Sequence, residues 1–314
     1  MNVRNLLILS MVKKIGPAFI KKNRLRLSQI DSCYEIVGEV NPEELGMLDV
    51  YAKAADEIIK DCSKNNIKMT SVLEDNYPSM LLEIGDPPSI LFYKGDLGLA
   101  GNAVAIVGTR HSTELGNRIA ERIGSYFASK YAICNGLVEG IDGSAISDIN
   151  SIKGNIVGVI SGGLNYKETC SAVHAKTIEK VIDSGGLVVS EFYPNQKEDK
   201  FSGSKASRIQ AGLSKGLILV QSSVNGGSKY TMSAFSKLNR TIGIVSFKDS
   251  IEFQTEDCFS ANRLIINKGV QGIADFIGAK KTSSVLVKDI VRIETKEDYA
   301  KMEVSMGETT SLFN

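Results

Sequence analysis

The chain has 314 residues, of which 43% are hydrophobic and 23% charged, as in globular proteins and unlike disordered or fibrous ones. This length accommodates one large domain and a small one. Because 37 Lys and Arg residues balance 36 Asp and Glu residues, the net charge of +1 excludes a protein that holds a polyanion through overall charge, and any nucleic-acid binding must come from locally clustered cations.

Residues 1–65 are predicted to form a small helical domain, because apolar residues recur there at helical spacing. It contains a Gly16-Pro17 turn with six Lys and Arg residues in fourteen positions around it. Such a turn between two short helices presents N–H groups that can meet a phosphate, as in helix-hairpin-helix elements. The alternative is a solvated helix face. The auxiliary DNA contacts predicted here are Lys13, Lys14, Lys21 and Lys22.

Residues 66–100 are predicted to be an ordered, extended connector that packs on the core. Pro78, Pro87 and Pro88 fix φ and stop helices in this segment.

Residues 101–278 contain short apolar, β-branched runs that alternate with segments of helical composition. This pattern is typical of parallel strands that are buried on both faces and covered by helices. With right-handed crossovers it predicts an α/β fold with an extended Rossmann-like, doubly wound, mainly parallel sheet. The predicted strands are Ala103–Val107, Ala132–Cys134, Ile156–Ile160, Leu187–Val189, Leu217–Val220 and Ile242–Val245.

The remaining residues, 279–314, are predicted to be a short polar tail. Within it, Ser284–Val287 and Ile290–Ile293 are expected to add one hairpin, and Met306–Asn314 are expected to fray.

The cysteines and histidines exclude several kinds of site. Five cysteines without a C-x-x-C pair predict neither a disulfide framework nor a cysteine zinc site. The two histidines, His111 in a solvated loop and His174 on a helix surface, predict no metal centre, and no cofactor is expected. Cys134 and Cys170 are interpreted as packing residues. The longest early apolar run, Leu6–Val12, is too short to span a bilayer, so a reduced, cytoplasmic protein without membrane contact is expected.

Gly-rich loops follow several of the predicted strands. The carboxyl ends of parallel strands share one edge of the sheet, where helix N-termini present N–H groups to anions. Four such loops predict a shelf of backbone donors for phosphate, although any one of them alone is more often a tight turn. Arg110 in the first loop can hold a phosphate through two hydrogen bonds. The loops contain Gly108-Thr109-Arg110, Asn135-Gly136, Ser161-Gly162-Gly163 and Asn225-Gly226-Gly227.

The loops lack the patterns of common enzyme classes. Gly108 and Gly116 do not fit the dinucleotide fingerprint, and no G-x-x-x-x-G-K-[ST] sequence is present. The segment around His111 lacks the G-x-S-x-G turn of a hydrolase. No enzymatic activity is therefore predicted.

Several stretches match, in order and spacing, the pattern of one protein family. They are Asp75–Pro78, Asp86–Gly95, Val104–Arg110, Asn135–Asp142, Ser190–Phe192, Ile209–Ser214 and Gly227–Thr231. Together they resemble the DprA/Smf family of DNA-processing proteins, with a Rossmann-like core of the SLOG superfamily, over roughly residues 1–278.

This resemblance implies a core that binds single-stranded DNA and delivers it to a RecA-type recombinase in transformation or recombination, typically as a homodimer and without turnover. It implies phosphate contacts by Arg110 and by the loops after the strands, with Lys205 replacing a family arginine. A family lysine after the fourth strand has its nearest counterpart in Lys176. A separate hypothesis is that bases stack on Phe192, Tyr193 or Phe201, with core packing of these rings as the alternative. The implied DNA contacts are Gly108, Thr109, Arg110, Asn135, Gly136, Gly140, Lys176, Lys205, Arg208, Gly226, Gly227, Ser228 and Thr231.

Departures from the family pattern identify a divergent member. Ala145-Ile146 replaces a histidine that follows Gly-Ile-Asp, and the short tail cannot supply the winged-helix-like domain of many relatives. Two alternatives remain, a nucleotide-sensing module in defence or signalling and a nucleotide-monophosphate glycosidase. Met232-Ser233-Ala234 disfavours the glycosidase, because a catalytic glutamate would be needed there.

Overall fold

The computed structural model describes residues 1–148, 154–247 and 250–307. In these ranges the strands form one nine-stranded sheet of order β1-β2-β6-β5-β4-β3-β7-β8-β9. The strands from β3 to β9 pair in parallel, whereas β1 and β2 add an antiparallel edge. The strands are β1 Lys68–Ser71, β2 Ile90–Gly95, β3 Ala103–Gly108, β4 Ala132–Asn135, β5 Ile156–Val159, β6 Leu187–Ser190, β7 Ser214–Gln221, β8 Arg240–Val245 and β9 Val287–Ile293.

Helices precede the sheet and cover both of its faces. Every residue of β4, β5 and β6 is buried, which explains the unbroken apolar runs in the sequence. The predicted fold class and all six predicted core strands are confirmed. The helices are α1 Val3–Met11, α2 Pro17–Lys22, α3 Arg24–Gln29, α4 Cys33–Val40, α5 Leu48–Lys64, α6 Glu114–Phe127, α7 Ile141–Ala145, α8 Tyr166–Thr169, α9 Ala172–Asp183, α10 Ser202–Leu213, α11 Lys229–Phe235, α12 Ile251–Thr255, α13 Ser260–Lys268, α14 Val270–Ile277 and α15 Glu297–Gly307.

The N-terminal helices pack on the same hydrophobic core as the sheet. Leu6, Leu9 and Ile20 are fully buried and belong to the cluster that contains the strands β3 to β6. The Gly16-Pro17 turn joins α1 to α2, with Pro17 at the first position of α2, where its fixed φ suits the helix. None of the helices in the described ranges is long and apolar enough to cross a membrane.

The connector prediction for residues 66–100 is wrong in one respect, because this segment supplies two strands of the sheet. The strand β2 pairs antiparallel with β6, and β1 pairs with β2. Residues Ile90 to Tyr93 are all buried, so this apolar run completes the core rather than lying on it.

The predicted polar tail after residue 279 is also wrong up to residue 307. Residues Val287–Ile293 form one parallel strand beside β8 instead of a hairpin, and α15 packs on the sheet. Met302 and Met306 are buried and occupy the space over Gly216, where an added Cβ would lie 2.3 Å from the Met306 sulfur. Of the segment predicted to fray, residues 308–314 lie outside the described ranges.

Candidate nucleic-acid interface

The topology places a switch point between β3 and β7. After β3 the chain adds β4, β5 and β6 on one side, and then returns to add β7 on the other side. At such a switch point neighbouring loops diverge and leave room for a ligand at the carboxyl ends of the strands. The N–H of Thr109 donates to the Gln221 carbonyl at 2.8 Å and joins the ends of β3 and β7.

The loops after β3 and β4 form one continuous surface. The N–H of Ile141 donates to the Thr109 carbonyl at 3.1 Å. Gly140 has a φ of +81°, and a Cβ there would lie 2.4 Å from the Thr109 oxygen and 2.5 Å from the Arg110 oxygen. Glycine is therefore required for the close approach of the two loops.

Many backbone N–H groups of these loops already donate hydrogen bonds to acceptors within the protein. Gly136 donates to an Asp142 carboxylate oxygen at 2.8 Å, Leu137 to the Asn135 side chain at 3.0 Å, and His111 to the Thr109 hydroxyl at 3.1 Å. The expected shelf of open donors is thus only partly present. In the described part of the chain, the N–H of Arg110 is among those without an acceptor.

The predicted third loop does not contribute to an open surface. Gly162 and Gly163 are buried, and Gly163 donates to the Gln196 carbonyl at 2.8 Å. A Cβ on Gly163 would lie 2.0 Å from the Tyr193 carbonyl oxygen, so these glycines serve the packing of backbone against the segment that follows β6.

Asp142 is a buried carboxylic acid beneath the loop after β4. Burial raises its pKa to about 7, while the Gly136 N–H and the nearby Arg110 guanidinium lower it and offset part of this effect. The carboxyl fixes the loop by accepting from Gly136, and the Asn135 side chain donates to the Asp142 carbonyl at 3.0 Å. Asn135 and Asp142 therefore shape the loop from within.

Arg110 is an exposed cation on this surface. Within the described residues its guanidinium forms no ion pair and no hydrogen bond to a side chain. It is close enough to influence the pKa of both Asp142 and His174. The structure thus leaves Arg110 available to a phosphate at the junction of the loops after β3 and β4.

Arg208 is placed differently from the sequence-based expectation. Its guanidinium makes two 2.7 Å hydrogen bonds to Glu191 and one of 3.0 Å to Asp86, and its side chain is only 14% exposed. Two carboxylates neutralise this cation. We therefore exclude Arg208 from the interface. Its hydrogen bonds hold the segment before β2 against the core.

The loop after β7 has a buried and an exposed half. Ser228 donates to Ser222 at 2.6 Å, and Thr231 donates to Gln210 at 3.4 Å, so both predicted contacts are buried. Gly227 is exposed. The same loop contains a pair that the sequence did not single out, since the Lys229 ammonium lies 5.5 Å from the centre of the half-exposed Tyr230 ring.

Two further predicted cations are exposed. Lys176 lies on α9, and the Lys205 ammonium lies 5.6 Å from the Phe192 ring centre. Lys205 and Pro17 line the same cavity of about 260 Å³ between the N-terminal helices and the core. Phe192 is 3% exposed, which removes it as a base-stacking surface, whereas Phe201 is 58% exposed.

Most of the N-terminal lysines that were predicted to contact DNA already form polar contacts within the protein. Lys13 lies 3.5 Å from Glu44, Lys14 donates to Asn41 at 3.3 Å, and Lys21 donates to the Ile84 carbonyl at 2.7 Å. Lys22 is exposed. An auxiliary DNA contact by these lysines stays a prediction.

Comparisons with known proteins agree with this architecture. The family model of DNA recombination-mediator protein A matches residues 68–276. Protein Smf of Synechocystis sp. is 28% identical over 254 residues, 74% of this chain and 62% of that protein. DNA processing protein DprA of Bacillus subtilis is 32% identical over 174 residues, 54% of this chain and 57% of that protein. The matched parts thus span about three fifths of these two relatives.

Solved structures share the fold. DNA processing protein A from Streptococcus pneumoniae superposes with a TM-score of 0.70 and 24% identity, over 90% of this chain and 99% of that one. DNA processing protein A from Helicobacter pylori, described for a unique single-stranded DNA binding mode, superposes with a TM-score of 0.55 and 21% identity over 68% of this chain and 96% of that one. Since the family model also matches more than half of the sequence, the chain belongs to the DNA recombination-mediator protein A family, the DprA/Smf family that its motifs indicated.

Proposed function

We propose that this chain binds single-stranded DNA on an interface formed by residues 108–112, 135–140 and 225–231, the loops after β3, β4 and β7. The observation that carries the proposal is the exposed Arg110 at the junction of two of these loops, whose guanidinium has no ion-pair partner among the residues that the structure describes. A guanidinium makes two hydrogen bonds to one phosphate and is weakly hydrated, so it binds phosphate well at an exposed site.

Exposed aromatic rings favour a single strand over a duplex. Tyr230 is 50% exposed on the interface loop after β7, and Phe201 is 58% exposed at the start of α10. The Lys229 ammonium lies 5.5 Å from the centre of the Tyr230 ring, and the Lys200 ammonium lies 4.9 Å from the centre of the Phe201 ring. Unpaired bases stack on such rings whatever the sequence, whereas the bases of a duplex are already stacked.

Family membership supports the wider role that we propose. The chain acts as a DNA-processing protein in transformation or recombination, delivering the strand to a RecA-type recombinase as a homodimer and without catalytic turnover. Lys176, Lys205 and the exposed Lys22 extend the contact beyond the three loops.

The test is fluorescence anisotropy of a labelled oligothymidine with the wild type, Arg110→Ala and Arg118→Ala. We expect Arg110→Ala to weaken binding by roughly tenfold, the value of one charge-assisted hydrogen-bonding interaction with a phosphate. Arg118 is exposed on α6 and paired with Glu114 at 3.4 Å, so Arg118→Ala removes the same charge outside the interface and serves as the control.

Equal affinities of the wild type and Arg110→Ala, or equal losses of affinity in both variants, would overturn the proposed interface. A second readout is a thermal shift with cyclic and ADP-ribose-like nucleotides. Stabilisation by such a nucleotide in a protein that binds no oligothymidine would replace the DNA interface with the nucleotide-sensing alternative.

A further inference from the structure

A cluster of three potential metal ligands lies beside the interface. The Cys170 thiol, one imidazole nitrogen of His174 and a Glu198 carboxylate oxygen lie within 4.8 Å of one another. Cys170 and His174 are half-buried, and Glu198 is exposed. No step of the proposed DNA binding uses these three side chains.

The local fold holds the ligands at a fixed spacing. Cys170 directly follows α8 as its C-terminal cap. His174 lies in the first turn of α9, where its N–H donates to the Ser171 hydroxyl at 3.3 Å. Glu198 follows β6 in a segment that is fastened to the loop after β5, because Gly163 donates to the Gln196 carbonyl. The cluster thus joins two elements that are distant in sequence.

Among the described residues, the orientation of His174 leaves one ring nitrogen without a hydrogen-bond partner. Its Nε2 lies 3.1 Å from the Gly136 carbonyl oxygen. A carbonyl only accepts hydrogen bonds, so Nε2 carries the proton and the lone pair belongs to Nδ1. In metal sites the ligating histidine commonly donates its other N–H to a backbone carbonyl in this way, which fixes the ring and its tautomer.

We propose that Cys170, His174 and Glu198 bind a zinc ion, with water as the fourth ligand. Sulfur, imidazole nitrogen and carboxylate oxygen are the ligands that Zn²⁺ takes, at about 2.0 to 2.3 Å. These bond lengths require ligand atoms about 3.5 Å apart in a tetrahedron, so the side chains must approach by about 1 Å. The thiol proton passes to solvent as the Zn–S bond forms.

A zinc ion at this position would restrain the segments that supply its ligands. Zinc would pin the segment that contains Glu198 to the start of α9. Through the contact between His174 and the Gly136 carbonyl, it would also restrain the interface loop after β4. The sequence contains no C-x-x-C signal for this site, because its ligands are a Cys-x-x-x-His pair and a glutamate from a later loop.

The test uses the full chain stripped with a chelator and titrated with Zn²⁺ against a chromophoric competitor. We expect one equivalent to bind the wild type, with affinity reduced at least tenfold in Cys170→Ser and in Glu198→Gln. Cys258→Ser is the matched control, since Cys258 is a half-buried cysteine outside the cluster. Substitution with Co²⁺ should give a thiolate-to-cobalt charge-transfer band in the wild type and in Cys258→Ser, but not in Cys170→Ser.

Thermal unfolding of each chelator-stripped variant checks that it folds. An apo wild type that takes up no Zn²⁺, or a Co²⁺ band that persists in Cys170→Ser, would overturn the assignment. The measurement contains no DNA, so its failure would leave the proposed function standing.

Discussion

At the scale of single residues, two arginines of the same chain have opposite surroundings. Arg110 is exposed and unpaired within the described ranges, whereas the Arg208 guanidinium lies between Glu191 and Asp86. Sequence motifs pointed to both as phosphate ligands. The difference could not be predicted from the sequence, because Asp86 is far from Arg208 along the chain and only the fold brings the two together.

Arg208→Ala should therefore destabilise the protein without removing a DNA contact. The substitution leaves Glu191, whose side chain is 13% exposed, without its partner, and we expect a loss of about 2 to 4 kcal/mol in urea unfolding. Oligothymidine affinity should stay within about twofold of the wild type. Arg26→Ala breaks the exposed Arg26–Glu39 pair and should not change stability measurably. A stable Arg208→Ala protein that no longer binds DNA would return Arg208 to the interface.

Asp142 makes stability depend on pH. Its ordinary pKa of 3.8 rises to about 7 in the folded protein, so between these values the folded state keeps a proton that the unfolded state has lost. The stability this carboxyl contributes is complete below pH 3.8 and is lost as pH rises through about 7. Asp142→Asn can still accept from Gly136, and it should be more stable than the wild type at pH 8 by about 1 to 3 kcal/mol.

Urea unfolding between pH 5 and pH 8 measures this effect. Glu139→Gln is the control, because Glu139 is exposed on the same loop and the substitution removes the same charge. The fall in unfolding free energy from pH 5 to pH 8 should be smaller in Asp142→Asn than in the wild type, and it should be unchanged in Glu139→Gln. If the unfolding free energy of Asp142→Asn depended on pH as strongly as that of the wild type, another group would cause the pH dependence.

At the scale of elements, the sequence best predicted the strands that are buried on both faces of the sheet. The strands β3 to β8 are apolar runs, and their positions follow from that pattern alone. The strand β9 lies at the edge of the sheet and is largely half-exposed, so its sequence is mixed and resembles a polar tail. Likewise the Gly162-Gly163 turn resembles a phosphate loop, because a glycine required by backbone packing has the same sequence signal as one required by a ligand.

The C-terminal helix α15 should be needed for the stability of the whole sheet. Met302 is fully buried, and its methyl group lies over Gly216, where an added Cβ would be 2.7 Å away. Met302→Ala leaves a cavity that the glycine cannot fill, and we expect a loss of about 2 to 4 kcal/mol in urea unfolding. Val304→Ala is the control on the exposed face of α15, since Val304 is 63% exposed. Equal stability of the two variants would contradict the packing of α15 on the sheet.

At the scale of the whole molecule, the sequence pattern predicts where in the fold the proposed interface lies, but not which of its groups are open to a ligand. The position follows from topology, because the strand order reverses between β3 and β7, and ligands of such sheets bind at the carboxyl ends of the strands at this switch point. Which N–H groups remain open depends on side chains such as Asp142, whose hydrogen bond to Gly136 joins residues six apart through a folded loop. The sequence pattern does not show which of these N–H groups are already bound by side chains of the protein itself.

Because the net charge is only +1, overall charge contributes little to DNA binding. The salt dependence of the affinity therefore reports the number of local phosphate contacts. Phosphate contacts by Arg110 and Lys229 on the interface and by Lys176 and Lys205 beside it should give a slope of log affinity against log salt of about −2 to −3 for single-stranded DNA. The Arg110→Ala substitution should make this slope shallower by about 0.7, the share of one phosphate. Anisotropy titrations of oligothymidine from low to physiological salt measure both slopes. A slope steeper than about −5 would require more cations than the interface presents, because overall charge contributes almost nothing. An unchanged slope in Arg110→Ala would mean that the guanidinium does not bind phosphate.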